Sequence, residues 1–183
     1  MIARVDPAIV WTLRVALSAL FATAAFHKAT DLRAFASTLR DYRILPAGLG
    51  GVLAPAFAAA EAGVAIALLV PGRASAAATA GALLLLAYTA AIATNLLRGR
   101  REIDCGCFGP RLRQPISGGL VVRNAVLVGA ALAAALPAGS RSLVWVDAVT
   151  ILLGAGVLAL LLQATNTLTR NAQAGLQRLR RPS

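Results

Sequence analysis

Only two cysteines occur in the 183 residues, Cys105 and Cys107, one glycine apart. So few thiols exclude a fold stapled by several disulfides. With a single histidine, His27, the chain offers three soft ligands, one fewer than structural zinc takes, so a zinc site would have to be shared between chains. Charge is scarce as well. Asp, Glu, Lys and Arg make up 14% of the sequence, against roughly 25% in soluble domains, while 58% of the residues are hydrophobic and the mean hydropathy is +0.74. Those values exclude an ordinary soluble domain and place the chain in a membrane.

What is present in quantity is alanine, leucine and glycine, in runs that approach the ~20 residues needed to cross about 30 Å of hydrocarbon as a helix. Five spans are expected, at about 8–28, 52–70, 74–97, 119–137 and 143–165. They form an all-α, polytopic helical bundle, small residues letting the backbones approach closely. Residues 29–50 read as a polar connection whose Pro46 and Gly50-Gly51 lead into the second span, with Pro55 in its first turn. Pro71-Gly72 is a tight hairpin, Ser117 a cap for the fourth span, and 166–183 a basic tail on the membrane surface. Arg4 and the A-T-A at Ala22 to Ala24 resemble a secretory signal, but Arg14 interrupts its apolar stretch, and the segment is expected to stay.

Basic residues outnumber acidic ones eighteen to seven, the signature of a nucleic-acid binder until their positions are read. They border the spans. With five crossings, Arg4, Arg73 and Arg141 lie on one side. The other side takes Lys28, Arg33, Arg40, Arg43, Arg98, Arg100, Arg101, Arg111, Arg113, Arg123, Arg170, Arg178, Arg180 and Arg181. Fourteen against three puts the cysteine loop and the C-terminus in the cytoplasm, with anionic lipid headgroups as the arginines' partners and no nucleic acid implied.

Ionisable groups at membrane depth are costly and so are candidate functional residues. Glu61 lies ~15 Å into the second span, and Arg14 at a depth that differs from it by about 5 Å. The two are expected to pair, as a structural ion pair or as a carboxylate that handles protons. His27, Lys28 and Arg123 fall at the membrane boundary beside the cysteine loop, where cations either reach for lipid phosphates or favour a cysteine thiolate. A Cys-Gly-Cys disulfide closes only as a small strained ring, which is a poor staple and an easily reduced bond. Redox chemistry is therefore the preferred use of Cys105 and Cys107, beside shared metal binding and simple burial of two small side chains.

The order of several motifs resembles the methylamine utilisation protein MauE family, within the broader DoxX-like group of redox-associated membrane proteins. These are F-H-K at Phe26 to Lys28, A-E-A-G at Ala60 to Gly63, R-G at Arg98-Gly99, C-G-C-F-G at Cys105 to Gly109, I-S at Ile116-Ser117 and R-N at Arg123-Asn124. The likeness covers about residues 10 to 137. It implies a four-helix core and assistance to thiol–disulfide chemistry beside a thioredoxin-like partner, in methylamine users for maturation of a disulfide-rich periplasmic dehydrogenase; the fifth span, expected from its apolar run, lies outside the likeness.

The expected function is that of a membrane thiol–disulfide oxidoreductase component with Cys105 and Cys107 as its working pair. Supporting residues are His27, Lys28, Glu61, Arg14, Arg123 and Asn124. No cofactor or metal site is evident; a single pair cannot carry electrons across the bilayer through cysteines alone, so a mobile loop, a second protein or a membrane carrier such as a quinone must complete the route, though no quinone motif is readable. The alternatives are a non-catalytic scaffold for a thioredoxin-like protein and a small-solute transporter using Glu61 and Arg14.

Overall fold

A computed structural model describes residues 5–44, 46, 48–106 and 114–179. Arg4, Cys107, Phe108, Gly109, Arg111, Arg113, Arg180 and Arg181, all part of the sequence reading, lie outside the described residues. The described chain is all-helical: α1 (Pro7–Thr30), α2 (Leu32–Asp41), α3 (Gly50–Ala67), α4 (Ala74–Leu97), α5 (Gly118–Ala135) and α6 (Trp145–Leu179). Five of these helices, all but α2, are long and apolar enough to cross a membrane, and the molecule is a polytopic helical bundle.

Four helices build the core. Leu17 and Phe21 of α1, Val64 and Ala65 of α3, Ala78, Ala82 and Leu85 of α4, and Leu127, Ala131 and Ala134 of α5 form one buried cluster, with Leu162 of α6 packed against it. Small residues permit this density, as expected where helices associate by packing in lipid. At Gly81 a Cβ would sit 2.9 Å from Cε2 of Phe21, so the ring occupies the space a side chain would need. The register of α1 against α3 is marked by the Ser18 hydroxyl, which donates to the Ala65 carbonyl at 2.8 Å.

Three boundaries differ from the sequence reading. Residues 32–41, expected as part of a polar connection, form α2: the Asp31 carboxylate accepts from the Ala34 amide at 2.9 Å as an N-cap, and Phe35 and Ala36 are buried against Ala54 of α3. The second span begins at Gly50, which leaves Pro55 inside α3. Residues 166–179 continue α6 without a break, and this helix of 35 residues is about 52 Å long, more than the bilayer core requires. Ser117 is the N-cap of α5, with no side-chain capping bond.

At the end of the bundle remote from the cysteine loop, Arg141 holds two helix starts together. Its guanidinium donates to both oxygens of Asp6 at 3.0 and 3.1 Å and to both of Asp147 at 2.7 and 2.8 Å. Asp6 also caps α1, and Val5 pairs with Gly139 of the 136–144 hairpin at 2.8 Å. The hydrogen bonds from Arg141 and then from the Ala8 amide hold the Asp6 carboxyl below its ordinary 3.8. A lowered carboxylate contributes stability above its unfolded value and loses it as pH falls through the folded one. The protection of amides across residues 136–144, taken relative to their intrinsic exchange rate at each pH, is therefore expected to fall as pH drops below about 4, and Arg141→Gln to abolish that dependence. A protection factor independent of pH down to about 2.5 would show that the clasp does not hold the hairpin.

Candidate functional site

The most buried charges come from two helices, and a third supplies a hydroxyl to them. Lys28 of α1, the single lysine of the chain, places Nζ 2.7 Å from each carboxylate oxygen of Glu61 of α3, and the Tyr88 hydroxyl of α4 donates to Oε1 of Glu61 at 2.8 Å. The side chains of Lys28 and Glu61 are 3% and 1% exposed. Aromatic faces enclose the ammonium: it lies 5.1 Å from the Phe35 ring centroid and 5.4 Å from that of Tyr88, whose ring is in turn 5.8 Å from Phe57. A desolvated ion pair with this many partners is tolerable only because each charge is met; removing one member strands the other.

The expected pairing of Glu61 with Arg14 does not form. Arg14 instead donates through Nε to the Ala134 carbonyl at 3.1 Å, and its guanidinium lies 5.5 Å from the Trp11 ring centroid. Ala134 is in the last turn of α5, whose final carbonyls lack intrahelical partners, so Arg14 satisfies a helix end. Depth estimates failed here because Lys28 was placed at the headgroups, whereas its four-methylene stem turns inward to Glu61.

The cysteine loop closes on itself at its base. Cys105 donates its amide to the Gln114 carbonyl at 2.9 Å, and Ile116 donates to Ile103 at 2.9 Å, pairing 103–105 with 114–116 in antiparallel fashion. Asp104 Oδ1 accepts the amides of Gly106 at 3.3 Å and Gln114 at 3.2 Å. Ile103 and Ile116 are buried with Tyr42, Ile92 and Leu120, and Cys105 packs on that cluster. The glycine between the cysteines is required twice over. Gly106 has φ +73°, and a Cβ there would lie 3.0 Å from Cγ2 of Thr38 and 3.4 Å from the Phe35 ring. The loop thus rests directly on α2.

Two hollows flank this contact. Half-buried Cys105 lines a cavity of about 180 Å³ together with Lys28, Phe35, Thr38, Tyr42 and Tyr88. A larger open cleft of about 910 Å³ adjoins it, sharing Lys28, Phe35 and Thr38 and bounded also by His27, Asp31, Asp41, Arg100, Asp104 and Gly106. His27 is partly exposed there, edge-on to Phe26 at 6.0 Å.

Of the three cations assigned to the thiols, Lys28 therefore shares the Cys105 cavity and His27 the adjoining cleft, but Arg123 lines neither. Arg123 lies in a third hollow with Glu61, where it donates to the side-chain oxygens of Asn124 at 3.0 and 3.3 Å and Asn166 at 2.7 Å. The sequence reading missed Tyr88, Phe35 and Asn166. A tyrosine in mid-span was the available signal for Tyr88, since a phenol in hydrocarbon needs a hydrogen-bond partner.

Comparison with known proteins gives the family of the chain. The sequence pattern of the family described as Methylamine utilisation protein MauE matches residues 6–137, a stretch that takes in Lys28, Glu61, Tyr88, Arg123 and both cysteines. The chain is 42% identical over 163 residues to Methylamine utilization protein MauE of Paracoccus denitrificans, covering 88% of each chain. It is 44% identical over 157 residues to the protein of that name in Paracoccus versutus, covering 85% of this chain and 84% of the relative. With that of Methylophilus methylotrophus it shares 33% over 167 residues, 88% and 86% of the two chains. These alignments are longer than the stretch 6–137, so the likeness extends into α6. No solved structure matches. A helical membrane chain with this family's pattern over residues 6–137 and relatives of that name along most of its length belongs to the methylamine utilisation protein MauE family.

Proposed function

We propose that this protein is the membrane component of a thiol–disulfide exchange system serving methylamine utilisation, with Cys105 and Cys107 as the exchanging pair. The observation that carries the reading is the buried Lys28 ammonium, fixed by Glu61 and two aromatic rings, on the wall of the cavity that Cys105 also lines. A fixed cation beside a half-buried thiol favours the thiolate, the form that attacks disulfides. The thiolate of one cysteine attacks a partner's disulfide, whose S–S bond breaks as a mixed disulfide forms; the second cysteine then attacks that bond and releases the reduced partner.

The partner is a thioredoxin-like protein, and the open cleft beside Gly106 is where its loop docks. The fourteen-to-three distribution of basic residues supports a cytoplasmic cysteine loop and hence exchange with a cytoplasmic thiol protein. The test is covalent capture. Of Cys105→Ser and Cys107→Ser, the variant retaining the attacking cysteine is expected to accumulate a reductant-sensitive adduct with the partner, and the double variant none. Activity undiminished in the double variant would replace this reading by a non-catalytic scaffold.

A further inference from the structure

We propose that the hollow bounded by α1, α4, α5 and α6 is a binding site for the ring of a membrane quinone. Its volume is about 140 Å³. That is close to the ~150 Å³ of an apolar cavity able to hold a benzene ring. Ala16, Leu20, Leu127 and Leu162 supply apolar walls, and Asn124 and Asn166 supply polar ones beside Glu61, Tyr88, Arg123 and Gln163.

Arg123 fixes how those amides face. It donates to the oxygens of both Asn124 and Asn166, so each side chain has its acceptor committed. Neither NH₂ group donates a hydrogen bond to a described residue, and neither nitrogen is fully enclosed, although the residues are only 1% and 9% exposed. Two donors on the wall of a partly apolar hollow favour a ligand with acceptor oxygens, and ring carbonyls have that character. Exposed Ala19, Thr23, Ala159 and Gln163 lie on the rim where α1 meets α6, so the hollow opens toward the lipid-facing surface, the side from which a molecule with an apolar tail arrives.

The hollow is one side chain away from the thiol. Tyr88 lines both it and the Cys105 cavity, and Glu61 lines it while Lys28, its partner, lines the other. The ligand's role rests on the thiol–disulfide reading. Two S–H bonds, of Cys105 and Cys107, break as their S–S bond forms, and the two electrons and two protons convert the two ring C=O groups to C–OH. Thiol–disulfide exchange is reversible, and it is in the reverse of the exchange described above, with a dithiol partner reducing the Cys105–Cys107 disulfide, that a quinone regenerates the oxidised pair.

The experiment uses the full chain in nanodiscs and a short-tailed azidobenzoquinone as photoprobe. Saturable labelling of α1, α5 or α6, competed by decyl-benzoquinone, is expected. Asn124→Leu with Asn166→Leu should weaken competition at least tenfold, and Ala159→Trp on the exposed rim should block labelling without altering the melting temperature. The double cysteine-to-serine variant should bind as the parent does but form no quinol from a dithiol. Binding without mixed-disulfide formation would sink the thiol reading and leave the site standing. Labelling that is unsaturable, indifferent to both sets of substitutions, or competed only by a short-chain phospholipid overturns the site.

Discussion

Glu61→Gln is expected to destabilise the bundle by about 3–5 kcal/mol, because it leaves the Lys28 ammonium buried without its counter-charge. Lys28→Met should cost a similar amount by stranding the carboxylate. The two substitutions together should recover much of the loss, since neither charge then remains, and the substituted carboxamide would keep an oxygen to accept the Tyr88 hydroxyl that now bonds Glu61 at 2.8 Å. Arg14→Gln should not rescue Glu61→Gln, because Arg14 is spent on the end of α5. Thermal or denaturant unfolding in detergent measures all four. A double variant no more stable than the worse single would show that Lys28 and Glu61 are not coupled.

That same pair shows what could and could not be read from the sequence. The spans were legible because apolar composition over about twenty residues is a strong signal, and Glu61 stood out because a carboxylate at that depth has no bland explanation. Its partner was not legible. Helical rise fixes the depth of a backbone position to a few ångströms, but a lysine stem can carry its charge toward either the headgroups or the interior, and the choice depends on Tyr88 and Phe35 from two other elements. Helix α2 was legible in principle: Leu32, Phe35, Ala36 and Leu39 follow the i, i+3, i+4, i+7 pattern behind an Asp31 cap. So short a segment between two long spans nevertheless has the look of a connection. Arg123 was assigned to the thiols from its depth alone, and depth says nothing about which side of a bundle a side chain faces. Asn166 fell just beyond the assumed end of the last span, which the unbroken α6 carries further.

Alkylation of Cys105 in a Cys107→Ser background separates an electrostatic role for the buried pair from a purely structural one. Lys28→Met should raise the pH midpoint of alkylation by on the order of one unit, since the thiolate loses a cation and faces a bare carboxylate. Glu61→Gln should move it the opposite way, because the ammonium then acts on the thiolate without a competing anion. Asp104→Asn should also lower it, by less, as its Oδ1 already accepts two backbone amides. Arg123→Gln should leave it nearly unchanged, because Arg123 lies in the other hollow with Asn124 and Asn166. The opposite signs are the diagnostic feature. Loosening the fold would carry Lys28→Met and Glu61→Gln alike toward the value of an unperturbed cysteine, about 8.5. If both variants shift in the same direction, or if Arg123→Gln shifts the midpoint as far as Lys28→Met does, the Lys28 ammonium does not poise Cys105, and the thiol reading loses the observation it stands on.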